Sequence, residues 1–295
     1  MIYDIRLTIA YDYAGAASSG RHLVCVMPRD LGPEQRLVAG LLRLHPLPGQ
    51  RHDRTDFFGN ATVDFAIDGS HNAVEVAVTA RVERHAAGDM SAGALSLDRL
   101  AAALSDCRDM GPDSPVHYIA TSSRVPHDPA MIRFARSQIS PGMDAAQAVV
   151  AVGRALCAAM TFDAKATTVD TPASEAFAKR HGVCQDYSHI LIACLRGIGI
   201  PAGYVSGYLR TRPPKGKPRL EGADAMHAWV RAWCGPQAGW LAFDPTNDRI
   251  ADASHIVVAY GRDYDDVPPI RGILRVTGGQ RSRQSVDVIP LDEGA

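Results

Sequence analysis

Three residues in the second half of the chain have side chains suited to a nucleophile, a base and a carboxylate that orients the base: Cys184, His227 and Asp244. Cys184 begins a segment in which apolar residues recur at helical spacing until a terminating glycine, Gly197. This apolar stripe consists of Tyr187, Ile190, Leu191, Cys194 and Leu195. A thiol in the first turn of a helix lies at the positive end of the helix dipole, which favours the nucleophilic thiolate. Taken alone, Cys184 fits better as a small buried hydrophobic residue, since most free cysteines are structural.

His227 and Asp244 lie on two segments that alternate like strands, on either side of a stretch with turn composition. If Trp233 pairs with Ala238 across a four-residue loop, His227 pairs with Asp244, and their Cβ atoms lie about 5 Å apart on one face. A register shift of one residue would place them on opposite faces. Considered alone, His227 also fits a half-buried strand histidine without a catalytic role. Asp244 alone also fits a turn-capping residue before Pro245. Together with Cys184 they predict a triad in which the histidine takes the thiol proton and the aspartate fixes its tautomer.

The elements that position these residues change along the chain from strands to helices and back to strands. Alternating apolar residues predict short strands at 5–9, 22–27, 62–67 and 74–78. N-caps at Ser96, Asp144 and Thr171 predict three helices before the one that begins at Cys184. This order predicts an α+β fold with an amino-terminal β-sandwich at 1–88, a helical connection at 89–140 and a catalytic core with carboxy-terminal strands at 141–295.

Composition limits the function classes that remain. The 295-residue chain has 31 basic and 32 acidic residues, a net charge of −1, and 46% hydrophobic residues. These are globular values, and the charge balance offers no long-range attraction for nucleic acid or an acidic membrane. Six isolated cysteines without a C-x-x-C pair indicate neither a disulfide framework nor a Cys-rich zinc site. We therefore expect a cytoplasmic protein without metal or cofactor, and the oligomeric state stays open.

Five ordered blocks around the candidate triad resemble the bacterial transglutaminase-like superfamily, whose members are often described as proposed cysteine proteases. The blocks are Gly182-Val183-Cys184-Gln185-Asp186-Tyr187, residues 195–202, residues 204–208, His227-Ala228-Trp229 and Phe243-Asp244-Pro245-Thr246-Asn247. Residues 259–272 and the start of the chain, with Tyr11, Tyr13, Pro28-Arg29 and residues 56–60, are also similar to this family. The resemblance thus covers most of the chain.

This resemblance implies a papain-like transglutaminase core with Cys184, His227 and Asp244 as the catalytic triad. The implied chemistry is acyl transfer from an amide through a thioester. Water as acceptor gives an amidase or peptidase, which we favour because most bacterial members are regarded as hydrolases and no calcium loop is visible. An amine acceptor gives cross-linking, and a catalytically silent binding or scaffold protein is the rival from another class.

The oxyanion hole is the point at which the sequence departs from the family. Animal transglutaminases use a tryptophan upstream of the cysteine, and none precedes Cys184 here. We expect the backbone N–H of Cys184 as one donor. The side chain of Gln185 fits a second donor and a helix-surface residue equally well. Tyr208, Met226 and Trp229 are predicted to contact the substrate.

Two further features have open interpretations. The basic residues between Arg210 and Arg219 fit a solvated loop better than a lid that favours acidic substrates. Arg262 and Asp263 fit an internal salt bridge or turn better than a cleft wall. His189 lies about 140° around the helix from Cys184, which makes it a poor base for that thiol.

Overall fold

The amino-terminal part of the protein is organised around one long strand, β1 (Ile2–Val24). The computed structural model describes residues 1–85, 88, 92–211, 222 and 224–291. β1 belongs to a seven-stranded sheet with the order β2-β5-β1-β4-β3, in which two carboxy-terminal strands also pair with β1. The other strands of this sheet are β2 (Gln35–His45), β3 (Gln50–Thr55), β4 (Ala61–Ile67), β5 (His71–Arg84), β13 (Ile270–Arg275) and β14 (Gln280–Pro290).

The alternation in β1 decides which of its faces is buried. Ile5, Leu7 and Ile9 are almost completely buried, whereas Arg6 between them is exposed. The predicted strands at 5–9, 62–67 and 74–78 are confirmed within β1, β4 and β5. The predicted strand at 22–27 is only partly present, because β1 ends at Val24.

The predicted β-sandwich is not confirmed, because the strands form one continuous sheet joined through β1. The first half of β1 pairs with β5 and β14, and its second half pairs with β4 and β13. The range 141–295 therefore contributes two strands to the sheet of the range 1–88. The division into three ranges stays a prediction. Alternation within a strand predicts its buried face and not its partners, which here lie at the other end of the chain.

A second sheet and five helices make up the rest of the described chain. This sheet has five antiparallel strands in the order β11-β10-β9-β8-β12. Its strands are β8 (Ala202–Leu209), β9 (Ala225–Trp233), β10 (Trp240–Asp244), β11 (Arg249–Ile250) and β12 (His255–Gly261), and two short parallel strands are β6 (Thr161–Phe162) and β7 (His181–Gly182). The helices are α1 (Leu97–Asp106), α2 (Pro129–Arg136), α3 (Ala145–Ala159), α4 (Ala173–Lys179) and α5 (Cys184–Gly197), with 3-10 turns at Pro115–Tyr118 and Tyr264–Asp266. None of the helices formed by the described residues is long and apolar enough to span a membrane.

Helix α5 lies at the centre of this second part. It packs against α2, α3, α4, β8 and β9. The sequence predicts one buried stripe, but every residue from Gln185 to Leu195 is buried. The stripe pattern treats Asp186, Ser188 and His189 as solvent-facing because they are polar, whereas the structure covers them with other elements.

The predicted helix starts agree with those in the structure to different degrees. Asp144 caps α3 by accepting the N–H of Gln147, whose side chain accepts the N–H of Asp144 in return. Ser96 precedes α1 without a capping bond from its side chain. The cap at Thr171 is wrong: α4 begins at Ala173, and the Thr171 hydroxyl accepts the N–H of Thr168 instead. Helix α2 was not predicted, although Asp128 and Pro129 form a standard start.

The inner face of β1 gives the first testable prediction. Ile5 is fully buried between Ala80 of β5 and Val288 of β14. We expect Ile5→Ala to lower the free energy of unfolding by about 2–5 kcal/mol, because it removes buried contacts and leaves a cavity. Denaturant unfolding measures the effect. The matched control is Arg6→Ala on the exposed face, and equal losses in both variants would contradict the assignment of the two faces.

Candidate active site

The start of α5 fixes the position of the candidate nucleophile. Cys184 is the first residue of the helix, and Val183 precedes it as the N-cap. The buried carboxylate of Asp186 accepts the N–H of Val183 at 2.8 Å and the hydroxyl of Thr167 at 2.7 Å, which anchors the helix start. Burial raises the pKa of Asp186 against the effect of these bonds. A Cβ at Gly182 would lie 2.8 Å from the Asp186 Cβ, so this turn requires glycine.

The hairpin that carries the candidate base and carboxylate has a register different from the predicted one. Trp233 pairs with Trp240 and not with Ala238, a shift of two residues. A shift of two returns each side chain to the same face, since side chains alternate with a period of two. His227 and Asp244 therefore still meet, as diagonal neighbours, and His227 Nε2 lies 2.8 Å from Asp244 Oδ2.

The Asp244 carboxylate is fully buried and accepts five hydrogen bonds. Oδ2 accepts from His227 Nε2 at 2.8 Å, from Asn247 Nδ2 at 2.7 Å and from His255 Nε2 at 3.2 Å. Oδ1 accepts the backbone N–H groups of Thr246 and Asn247 at 3.0 and 3.2 Å. Burial by itself raises the pKa of Asp244, but the hydrogen bonds from the two histidines and Asn247 outweigh it and hold the pKa well below 3.8.

His227 is held in its protonated form by this carboxylate. Burial of the ring lowers the pKa of His227, but its hydrogen bonds with Asp244 and Cys184 raise it more, from 6.5 to about 10. Because Nε2 binds Asp244, Nδ1 is the ring nitrogen left to face the thiol. The raised pKa means that the contribution of this pair to stability is complete below pH 6.5 and is lost as the pH rises through about 10.

His255, at the start of β12, is a residue that the sequence analysis missed. Its ring is fully buried, and Nδ1 accepts the backbone N–H of Asp252 at 3.1 Å, so Nε2 is the nitrogen that donates to Asp244. The ring also meets Trp229 edge-on at 5.1 Å. Its only sequence signal is a polar residue at the head of an apolar strand, and its partner lies on another strand of the sheet.

The two histidines and Asp244 also raise the question of a metal site. Their potential ligand atoms lie within 4.8 Å of one another, and they are the one such group found among the described residues. Asp244 Oδ2 already accepts from Nε2 of both rings, so hydrogen bonds satisfy the cluster without an ion. We assign it a hydrogen-bonding role.

Cys184 and His227 open into a pocket of about 290 Å³. Met226 lines this pocket, and its contact with the substrate stays a prediction. The sequence analysis missed the contributions of other strands. The pocket is lined by Ile9, Tyr11, Val169, Val183, Cys184, Gln185, Tyr204, Ser206, Met226, His227, Ala228, Tyr264, Pro269, Ile270 and Gln284. Tyr208 and Trp229 do not line it. The buried Tyr208 hydroxyl donates to the carbonyl of Val26, and Trp229 lies in the wall of a separate cavity of about 550 Å³.

The two predicted oxyanion donors lie side by side at the start of α5. The N–H of a first helical residue has no acceptor within its helix, and Cys184 is the first residue of α5 and lines the pocket. The Gln185 side chain is buried, lines the pocket and donates from Nε2 to the Val169 carbonyl at 3.0 Å. Their role as oxyanion donors stays a prediction.

His189, Arg262 and Asp263 do not line the pocket. His189 is buried, its pKa is lowered by burial to about 4, and Nε2 accepts the N–H of Tyr264 at 3.2 Å. Arg262 forms an ion pair with Asp266, and Asp263 accepts the N–H of Arg124. The basic residues from Arg212 to Arg219 lie outside the described residues.

This fold and site define a transglutaminase-like protein. Residues 132–245 match the profile of the Transglutaminase-like superfamily, and residues 3–83 match that of the Bacterial transglutaminase-like N-terminal region. The chain belongs to the transglutaminase-like superfamily.

Similar proteins match this chain along nearly its whole length. The uncharacterized protein Rv2569c of Mycobacterium tuberculosis is 35% identical over 303 residues, which cover 99% of this chain and 94% of the relative. The uncharacterized protein ML0607 of Mycobacterium leprae is 30% identical over 271 residues, which cover 91% of each chain. The crystal structure of a proposed cysteine protease from Cytophaga hutchinsonii has a similar fold, with a TM-score of 0.77, 19% identity and coverage of 100% of this chain and 92% of that one.

The hydrogen bond between His227 and Asp244 predicts how the histidine titrates. We expect Asp244→Asn to lower the pKa of His227 from about 10 to 6.5 or below, because burial then acts without the opposing carboxylate. Histidine NMR titration measures the shift. His189 serves as an internal reference because its environment does not include Asp244. An unchanged His227 pKa would contradict the assignment.

His255 provides a second prediction from the same carboxylate. His255→Phe keeps the ring that packs against Trp229 but leaves Asp244 without one of its donors. We expect a loss of roughly 1–3 kcal/mol in the free energy of unfolding and slower alkylation of Cys184. The control is His52→Phe on the exposed strand β3. Unchanged stability and alkylation in His255→Phe would show that Asp244 does not depend on this bond.

Proposed function

We propose that this protein is a cysteine-dependent hydrolase that cleaves an amide or peptide bond through a thioester. The observation that carries the proposal is His227, which faces Cys184 on one side and binds the buried Asp244 carboxylate at 2.8 Å on the other. A nucleophile, a base within reach of it and a third group that orients the base form the arrangement used for covalent catalysis.

The first half of the reaction forms the acyl-enzyme. With its proton already held on His227 Nδ1, Cys184 Sγ attacks the amide carbonyl carbon. The oxygen of the tetrahedral intermediate accepts hydrogen bonds from the Cys184 N–H and the Gln185 side chain. His227 then donates its proton to the amide nitrogen, the C–N bond breaks, and the amine leaves.

The second half releases the acid. His227 Nδ1 takes a proton from water, whose oxygen attacks the thioester carbonyl carbon, and the C–S bond breaks. The proton taken from water stays on His227 Nδ1 and the sulfur leaves without one, so Cys184 and His227 regain their starting forms. Asp244 keeps its charge throughout and holds the ring in position, which its low pKa supports.

We place this activity in the cytoplasm. All six cysteines are free thiols in the structure, which fits a reducing compartment. The substrate is a peptide or a small amide rather than a nucleic acid or a membrane surface, in line with the net charge of −1.

The nucleophile gives the direct test of this function. We expect Cys184→Ala to reduce amide hydrolysis by at least about 10⁴-fold while the fold is retained, because Cys184 is the one cysteine among the described residues that line the pocket. A library of peptides and amides, read by released amine, measures the loss. The control is Cys107→Ala, another partly exposed free cysteine remote from the pocket.

Two other outcomes would redirect the assignment. Hydrolysis that survives in Cys184→Ala would exclude the thioester route. Incorporation of a labelled amine into product at the expense of hydrolysis would make the protein an acyltransferase of the transglutaminase type.

A further inference from the structure

We infer that the pocket beside Cys184 selects substrates whose acyl group carries an uncharged, mainly apolar side chain, and that the amino-terminal sheet supplies the selective wall. The inference rests on the proposed function, because the acyl group is the part of the substrate that becomes bound to Cys184. That group must occupy the space next to Sγ from the first attack until the thioester is hydrolysed.

The amino-terminal sheet reaches the pocket through a fixed pair of strands. Ile9 of β1 lies directly opposite Gln284 of β14, and both residues line the pocket. Tyr11 follows two residues after Ile9 on the same face of β1 and lines it too. The pairing register of β1 with β14 therefore decides which side chains face the acyl group. Ile9, Tyr11 and Gln284 all lie outside the segment 132–245 that matches the transglutaminase-like profile.

The described lining residues include no aspartate, glutamate, lysine or arginine. Met226, Pro269 and Ile270 add further apolar surface to the lining. Apart from Cys184 and His227, the titratable groups of the lining are three tyrosines. Burial raises the pKa of each of them, so they face the pocket as neutral hydroxyls: Tyr11, Tyr204 and Tyr264.

A charged acyl side chain is disfavoured in such a pocket because it would lose hydration, and the protonated His227 ring in the lining is already paired with Asp244. An apolar side chain gains from the same burial. The volume of about 290 Å³ lies at the lower end of the range for ligand pockets, which suits a single side chain beside the scissile amide. A neutral polar group on the acyl side chain is also compatible with the pocket, because it can form hydrogen bonds with Gln284, Ser206 or the tyrosine hydroxyls.

Covalent probes test this selection without knowledge of the natural substrate. N-acetylated chloromethyl ketones of leucine, aspartate and lysine alkylate a thiol with loss of chloride and differ only in the side chain next to the reacting ketone. Mass spectrometry of the Cys184 peptide gives the rate for each, and iodoacetamide, which has no side chain, gives the reference. We expect the leucine probe to react on the order of a hundredfold faster than either charged probe after this normalisation.

The outcomes separate the inference from the function on which it rests. Equal rates for the three probes, or a faster charged probe, would overturn the inference while the Cys184 nucleophile stands. Failure of iodoacetamide to alkylate Cys184 faster than Cys107 would overturn the proposed function and the inference together.

A charge introduced at Gln284 tests whether the wall formed by β1 and β14 contacts the acyl group. Gln284 is exposed enough to accept substitution, so Gln284→Lys should raise the rate of the aspartate probe relative to the lysine probe by about fivefold, and Gln284→Glu should do the opposite. The matched controls are Gln280→Lys and Gln280→Glu, which lie on the same strand outside the pocket. If the variants at 280 and 284 change the ratio equally, the wall does not contact the acyl group.

Discussion

The buried carboxylate of Asp244 is the interaction on which the arrangement of the site depends. It ends β10, accepts two backbone N–H groups from the turn that follows, and binds one histidine on β9 and another on β12. A carboxylate without solvent contact is stable in a protein only when hydrogen bonds and charge replace its hydration. The five bonds provide this replacement, and in return they fix three strands and a turn relative to one another. The same charge keeps His227 protonated, which couples the stability of the sheet to the chemistry of the ring.

The two ends of the chain meet beside this site. β1 begins the amino-terminal sheet and β14 closes it, and their paired residues Ile9 and Gln284 form a wall of the pocket that holds Cys184. The amino-terminal sheet is therefore part of the candidate active site and not only a neighbouring domain. The core supplies the reacting groups, whereas the sheet shapes the space in which they act. Members with the same triad can thus differ in substrate through residues that lie outside the core.

The sequence predicted the placement of Cys184, His227 and Asp244 better than the connections between elements. The position of Cys184 at a helix start follows from the helical spacing of the apolar residues after it. His227 and Asp244 meet because side chains two positions apart on a strand lie on the same face, so a register error of two residues does not separate them. The third strand that completes the site was not predictable in this way, because His255 reaches Asp244 across the order of the sheet and no spacing along the chain signals that contact. Trp229 was placed beside the substrate because it neighbours His227 in sequence, yet it lies in the wall of another cavity. The β-sandwich was inferred from short alternating strands, and alternation carries no information about the long-range pairing that makes them one sheet.

The central claim is that Asp244 acts on Cys184 through His227, and a double-mutant cycle tests it most directly. The measured quantity is the rate at which iodoacetamide alkylates Cys184 at neutral pH in the wild type, Asp244→Asn, His227→Ala and the double variant. If the three residues act as a unit, Asp244→Asn slows alkylation in the wild type and has no further effect once His227 is removed. Equal effects of Asp244→Asn in both backgrounds would show that the carboxylate and the histidine influence the thiol independently, and would contradict the account.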